Sequence, residues 1–590
     1  MHTMTPISLE NAPPLSAAEE TEVTQLYEER AEHLGQNIIE GATTLTSDTE
    51  DWISALTGTG SKLLVGPRGC GKTHLMRFAF LRCLNKQELP FAVYTNLNRY
   101  YRLEPMLRRR PDAMTMFYYW ALSNIFVGIS DAAKQFAATA SVQGTVISNL
   151  LEFDGADVSH LIATLEQGRP LSPEQDNIAA RMSIDKLKAI LVSLSEVLGR
   201  KRIVLFLDDA ALTLTPEYLT HFFDIYRALK GTRISLKASV YPGTTEYGPS
   251  FHASHEAESI FVWKSVTDAN YLDFMLDIGN KRFPDLVAIP DETRALLAYA
   301  AFGVPRAFMT LVRAYLKNVT KLATPQAAFN RTIEDFVNER KSEYLTLKDK
   351  MPQFSSIVEA GSRAFERAAD DITQANQALI DGTTKQLLLG IDPASVNGQP
   401  YVERMLRLLE EVGLLYKLDR VSHGDREYLR YLVHLGALQF RRAFSRKGSF
   451  SPRFSMDMLQ RQDEKHPVRR SVSTLLDANT IAALGLNLPN CRNCHAKRVE
   501  GAKYCFNCGE KLTEESTYDR LMLTPLINVP GLTKWQKEKL GEWPSVPRTV
   551  GEFVALQDPG TTLRTIPQVG QIRARTMIDA VEAFLDEYLS

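Results

Sequence analysis

Short apolar runs punctuate the N-terminal half of the chain: Lys62-Leu63-Leu64-Val65, Phe91-Ala92-Val93-Tyr94-Thr95, Ile203-Val204-Leu205-Phe206-Leu207, Ile234-Ser235-Leu236-Lys237-Ala238-Ser239-Val240 and Ser259-Ile260-Phe261-Val262-Trp263. Runs of this length, closed by breakers such as Tyr241-Pro242-Gly243, predict strands buried on both faces. Between them the period changes. From His74 to Leu84, Leu75, Met76, Phe78, Ala79 and Leu81 recur at helical spacing. Strands separated by helical stretches predict an α/β fold, a parallel sheet with flanking helices. The stretch from Tyr101 to Arg200 is long for a simple crossover and reads as a helical insertion. Its Tyr118, Tyr119 and Trp120 are expected to be buried aromatics beside a basic flank. Farther on, Phe308, Leu311, Val312, Tyr315 and Leu316 mark one apolar helix, and Val402, Met405, Leu406 and Leu409 another that ends at Gly413. Two strand-like runs, 414–418 and 428–433, then flank the turn residues Ser422-His423-Gly424-Asp425 and predict a hairpin.

Gly66-Pro67-Arg68-Gly69-Cys70-Gly71-Lys72-Thr73 fits the phosphate-loop pattern G-x-x-x-x-G-K-[ST] in full, between the first strand and the first helix. That order aims backbone N–H groups and a helix N-terminus at a polyphosphate. It predicts a site for ATP, with Lys72 on the β- and γ-phosphates and the Thr73 hydroxyl on Mg²⁺. The strand at 203–207 ends in Asp208-Asp209. Asp208 is expected on the metal side and Asp209 is expected to polarise the attacking water. At the end of the 234–240 run, Ser239 or Lys237 is expected beside the γ-phosphate.

Cys491, Cys494, Cys505 and Cys508 form two C-x-x-C knuckles separated by ten residues. Four thiolates so spaced predict one closed, structural Zn²⁺ site. The knuckles resemble short bacterial zinc ribbons. Near the C-terminus, Ile566-Pro567-Gln568-Val569-Gly570 with Ala574, and Val529-Pro530-Gly531-Leu532-Thr533, resemble a degenerate helix-hairpin-helix pair, in which hairpin N–H groups grip a DNA phosphate. Arg573 and Arg575 keep charge beside Gly570.

Composition changes this picture little. At 590 residues the chain has room for roughly four domains. Its 44% hydrophobic and 23% charged content is ordinary for a globular protein. No apolar stretch predicts a membrane span, and Met1 to Glu20 does not read as a secretory leader, so a cytoplasmic protein is expected. Net charge is −2, but Arg441, Arg442, Arg446, Lys447, Arg453, Arg461, Lys465, Arg469 and Arg470 crowd one stretch, which reads as a phosphate-binding surface or a basic linker.

Phe302-Gly303-Val304-Pro305-Arg306, opening an apolar helix downstream of the phosphate loop and the Asp-Asp strand, resembles the AAA+ and STAND ATPases, most closely the origin-recognition type. Lys237 to Thr245 also looks like a group of bacterial origin-recognition-like ATPases. The resemblance covers roughly residues 20–445 and implies that Arg306 reads the γ-phosphate from a lid helix. It also implies a winged helix after the lid, where Arg420, His423 and Arg426 would touch DNA phosphates. Asp-Asp in place of the usual Asp-Glu implies slow hydrolysis, because Asp209 is one methylene shorter.

The expected organisation is an N-terminal segment (1–45), an ATPase core (46–265) with an insertion at about 100–200, a helical lid (266–350) and a winged helix (351–445). A basic linker (446–488), a zinc ribbon (489–514) and a helix-hairpin-helix-like domain (515–590) complete the chain. The function expected is an ATP-dependent, DNA-binding switch or loader that recruits effector protein subunits, as a homo-oligomer. The resemblance places such ATPases in antiphage defence or mobile elements. The alternatives are a DNA-translocating motor and an ATP-binding signalling scaffold that does not bind DNA. No nuclease or other DNA-modifying signature accompanies the ATPase motifs.

Overall fold

The computed structural model describes residues 31–589 except 104–105, 210–215, 243–244, 246, 249–250, 424–425, 447–449, 501, 503, 511, 513–520, 544–546, 555 and 557. Gly424 and Asp425 of the hairpin turn, Gly243, Thr244 and Lys447 therefore lie outside the described residues, as do the side chains of Tyr101, His423 and Arg426.

Strands β1 (Lys62–Val65), β2 (Phe91–Asn96), β3 (Ile203–Asp208), β4 (Ile234–Val240) and β5 (Glu258–Phe261) form one sheet in the order β2-β3-β4-β1-β5. Every pairing in it is parallel. β3 is buried along its whole length, as its unbroken apolar run requires when helices cover both faces. This strand order places β4 between β1, which feeds the glycine loop, and β3, which carries the acids. With neighbouring strands about 4.8 Å apart, loop and acids face each other across roughly 10 Å, with the end of β4 between them.

The helices Ala113–Thr139, Gly144–Leu151, Gly155–Glu166, Pro173–Arg181 and Ile184–Val197 fill the insertion between β2 and β3. Ala113–Thr139 lies so close to β2 at Gly128 that a Cβ there would stand 2.4 Å from Thr95 Oγ1. Trp120 is buried and donates its ring N–H to Glu166 at 3.2 Å, so this aromatic is core. The helices Gln36–Ala42 and Ser47–Thr57 pack on the sheet domain ahead of β1 through Ile38, Ile39, Ile53 and Leu56.

A second hydrophobic core joins the helices Tyr271–Arg282, Asp291–Ala300, Pro305–Val319, Pro325–Lys350 and Ser355–Ala378 to a four-stranded sheet. That sheet has the order β11-β7-β9-β8 and contains β7 (Leu388–Ile391), β8 (Leu415–His423), β9 (Arg426–Val433) and β11 (Val468–Arg470). A separate two-stranded pair links β6 (Thr384–Lys385) to β10 (Gln462–Asp463). Helix Pro400–Glu411 precedes the β8–β9 hairpin and buries Val402, Met405, Leu406 and Leu409, the residues its periodicity selects.

The stretch 446–488 is not a linker. It supplies β10, β11 and helix Pro452–Leu459, and it buries Met458, Leu459, Val472 and Leu475 in the second core. The basic residues of 441–470 face acids far upstream. Arg441 bonds Glu366 and Asp370, Arg446 bonds Asp381, and Arg470 bonds the buried Asp371 at 2.7 Å. Arg461 donates to the carbonyls of Leu379 and Ile380, while Arg442 and Arg469 stack on Phe450 and Tyr428. Much of the basic surface expected there is consumed inside the module.

The C-terminal module contains Lys534–Glu542, Val550–Val554, Pro559–Arg564 and Gln571–Leu589 around Val529, Leu540, Phe553, Leu563 and Val581. Gln568 takes the left-handed conformation, φ 70°, at the position where the hairpin motif has glycine. Arg573 donates to Gln568 O at 2.8 Å and covers the Trp535 ring, and Arg575 pairs with Asp579. Among the described residues no helix is long and apolar enough to cross a membrane.

Candidate nucleotide site

The glycine loop leaves β1 and enters helix Lys72–Asn85 through Gly71, which has φ 101° and caps the helix with no side chain. The helix N-terminus therefore keeps its N–H groups for a ligand, the geometry that favours an anion. Gly69 also has positive φ, 83°, and a Cβ on it would stand 2.9 Å from Arg306 Cβ. Glycine at this position lets helix Pro305–Val319 and the loop touch: the Arg306 N–H donates to Gly69 O at 3.3 Å. Lys72 is buried, and its ammonium donates to Gly66 O at 2.7 Å and Pro67 O at 3.1 Å. Cys70 is buried too. Burial pushes its thiol pKa up, so it packs and does not react.

Asp208 is fully buried at the end of β3 and accepts from the Tyr94 hydroxyl at 2.9 Å and from the Asp209 N–H at 3.1 Å. Asp209 has φ 52°, a left-handed conformation that costs a non-glycine residue about 1 kcal/mol. Its N–H is held by Ser239 Oγ at 2.8 Å. Of the two candidates on β4, Ser239 and Lys237, Ser239 is thus the one beside the acids. Lys237 is directed to the opposite end of the sheet, where its ammonium is held by the carbonyls of Gly58 and Gly60. In the sheet register it stands level with Lys62, the first residue of β1, and the γ-phosphate expectation for it is corrected.

One cleft is lined by Arg68 to His74, Asp209 and Arg306, so the glycine loop, the second acid and the arginine of the Gly303 turn converge. The Gly303 turn makes that possible. Gly303 has φ 77°, and a Cβ there would stand 2.0 Å from Lys264 O. Lys264 in turn is tied to Asp48 and Asp268, and Trp263 donates to Phe302 O at 2.8 Å.

The cleft also contains residues that the sequence did not single out: Tyr241, Asn98, Arg282, and an apolar end formed by Leu34, Trp52, Phe274 and Met309. At that end the Thr43 hydroxyl donates to Ile39 O at 2.6 Å, so it accepts from His74 Nε2 at 2.8 Å. Burial, reinforced by Arg282 and Arg77, lowers the His74 pKa to about 4 and keeps the ring neutral. The glycine loop, the Asp-Asp strand tip and the Gly303 turn pointed to this cleft; its apolar wall comes from segments more than 200 residues apart.

The ribbon cysteines bring their sulfurs within 4.8 Å of one another, with 3.6 Å between Cys491 and Cys508 and 3.5 Å between Cys494 and Cys505. Four sulfurs at about 2.3 Å from a tetrahedral centre stand roughly 3.8 Å apart, so this donor set fits Zn²⁺. The two knuckles repeat one backbone pattern. Cys491 and Cys505 each accept an N–H four residues on, from His495 and Gly509, and each donates to the carbonyl five residues on, at Ala496 and Glu510. The ribbon touches helix Pro400–Glu411, where the Tyr401 hydroxyl donates to Glu500 at 2.7 Å.

The parallel sheet, the glycine loop ending β1 and the acids ending β3 define the class of the fold, that of a P-loop nucleoside triphosphatase. No family model matches the chain, and no curated protein matches it. Among solved structures it is similar to the Walker-type ATPase PABY2304 of Pyrococcus abyssi, at 14% identity over 67% of this chain and 95% of that one, with a TM-score of 0.37. It is also similar to the Orc1 protein of Aeropyrum pernix, solved in complex with DNA, at 15% identity over 68% of this chain and 93% of that one, with a TM-score of 0.27. Overlaps this loose carry no functional argument.

Proposed function

We propose that the chain is an ATPase of the AAA+ origin-recognition type that acts as a slow, nucleotide-timed switch on DNA and engages effector protein subunits. The observation that supports it most is the convergence of Lys72, Asp209 and Arg306 on one cleft with an apolar end fit for a nucleobase. In this reading the loop N–H groups and Lys72 bind the phosphates, and Thr73 and Asp208 hold Mg²⁺. Asp209 accepts a hydrogen bond from the attacking water, and Arg306 links the phosphates to the lid. The helix-then-hairpin order at Pro400–Glu411, β8 and β9 supports a winged helix as the DNA-contacting module. The engagement of Arg441, Arg461, Arg470 and Arg573 within the chain favours a second reading, an ATP-binding scaffold whose distal modules dock proteins.

ATP turnover and duplex binding measured across a salt series separate these readings. The switch gives slow turnover with duplex affinity that falls steeply as salt rises. Turnover without any duplex binding at low salt leaves the scaffold, and strong stimulation of turnover by duplex supports a motor instead.

A further inference from the structure

Tyr241 comes directly after β4, the strand that separates the glycine loop from the acids, and it is only 7% exposed. Its side chain meets both halves of the cleft. The Lys72 ammonium stands 3.9 Å from the Tyr241 ring centroid, a cation–π distance. The Tyr241 hydroxyl donates to Asp209 Oδ1 at 3.4 Å. The backbone of Tyr241 is anchored as well, its N–H donating to Thr245 Oγ1 at 3.0 Å. Asp209 is pinned from below by Ser239, so the remaining freedom of its carboxylate is rotation about the side chain.

We infer that Tyr241 is a positioning residue for nucleotide hydrolysis, its ring seating the Lys72 ammonium and its hydroxyl turning the Asp209 carboxylate toward the reacting water. The inference rests on the ATPase reading of the same cleft. Each carboxylate oxygen carries two lone pairs, so accepting from the phenol does not exhaust the capacity of Asp209 to accept from water. At 3.4 Å the contact is longer than a direct O–H···O bond of about 2.5–3.0 Å, and contacts of this kind shorten when ligand closes a site. Burial, and after it the Asp209 charge, raises the Tyr241 pKa well above its ordinary value, so the phenol stays a donor at any working pH. The short Asp209 gains most from such help, because it has no second methylene with which to adjust its own reach.

The test uses the full chain, MgATP and the variant Tyr241→Phe, which keeps the ring and removes the hydroxyl. ATP affinity measured with a fluorescent analogue is expected to stay within about twofold, while kcat falls roughly tenfold. In a double-mutant cycle, Tyr241→Phe is expected to add little to the loss caused by Asp209→Asn. Wild-type kcat in Tyr241→Phe overturns the inference and leaves the ATPase reading standing. A wild-type chain that binds no MgATP overturns both. Should Tyr241→Phe fold poorly, the same fall in kcat is sought in Tyr241→Leu, which is also expected to change ATP affinity severalfold because the ring that faces Lys72 is gone; a Leu variant with wild-type kcat overturns the inference too.

Discussion

Replacing Gly303 by alanine puts a methyl carbon 2.0 Å from Lys264 O and 3.1 Å from Trp263 Cδ1, at a residue with φ 77°. The obstacle is backbone, so it cannot rotate away. Two costs add. The left-handed conformation costs a residue with a Cβ about 1 kcal/mol, and forcing a methyl into packed backbone costs about 1–3 kcal/mol. Gly398 supplies a matched control: its φ is 79°, and a Cβ there meets nothing within 4 Å, so Gly398→Ala incurs only the first cost. Calorimetry of the two variants should therefore show Gly303→Ala lowering the transition of the second hydrophobic core by about 4–16 °C, and Gly398→Ala by about 2–4 °C. The turn also sets Arg306 against Gly69, so Gly303→Ala should weaken MgATP binding roughly tenfold, whereas Gly398→Ala should leave it unchanged. Equal transitions and equal affinities for the two variants would refute the claim that this close approach builds the Arg306 side of the cleft.

Asp209→Asn should keep MgATP bound but unhydrolysed in single-turnover assays; turnover at the unmodified rate would remove Asp209 from its water-positioning role. Cys505→Ser should release zinc, measured by metal analysis, and loosen only the ribbon in hydrogen exchange, since the two large cores lie elsewhere; global unfolding would contradict that modularity. His434 is buried between Phe302 and Phe336, and burial lowers its pKa from 6.5 to about 3. The folded protein keeps this ring neutral while the unfolded chain gains a proton below pH 6.5, so stability is lost as pH falls from about 6.5 toward 3. From this residue alone the loss is about 2 kcal/mol between about pH 6.5 and 5. His434→Asn, which can still accept from the Ala437 N–H as His434 does at 3.3 Å, should flatten that slope in urea unfolding; an identical slope would show that His434 does not titrate in this range.

The α/β core was legible because each of its signals is local. A fully buried strand such as β3 must be a continuous apolar run, and a loop that approaches phosphate must place glycines at Gly69 and Gly71, where φ is 83° and 101°. The cysteine knuckles and the Gly303 turn were legible for the same reason. What escaped was carried by distance. Lys237 and Ser239 share one side of β4 by alternation, and only the carbonyls of Gly58 and Gly60 decide that the lysine belongs to the far end of the sheet. The basic stretch at 441–470 reads as free charge until Glu366, Asp370 and Asp371 on helix Ser355–Ala378 are placed against it. β11 is three residues long and pairs in parallel with β7, too short for a period to show. Tyr241 reads only as part of a strand breaker, since nothing in its neighbourhood of sequence reveals Lys72 above its ring.

Equilibrium binding of MgATP to the wild-type chain and to Lys72→Ala tests most directly whether the cleft between the glycine loop and the paired aspartates takes a triphosphate. Saturable binding by the wild type, weakened roughly 100-fold by removing the one ammonium that the loop carbonyls hold, is the expected result. A wild-type chain that retains no nucleotide, or a Lys72→Ala chain that binds it equally well, would contradict the claim.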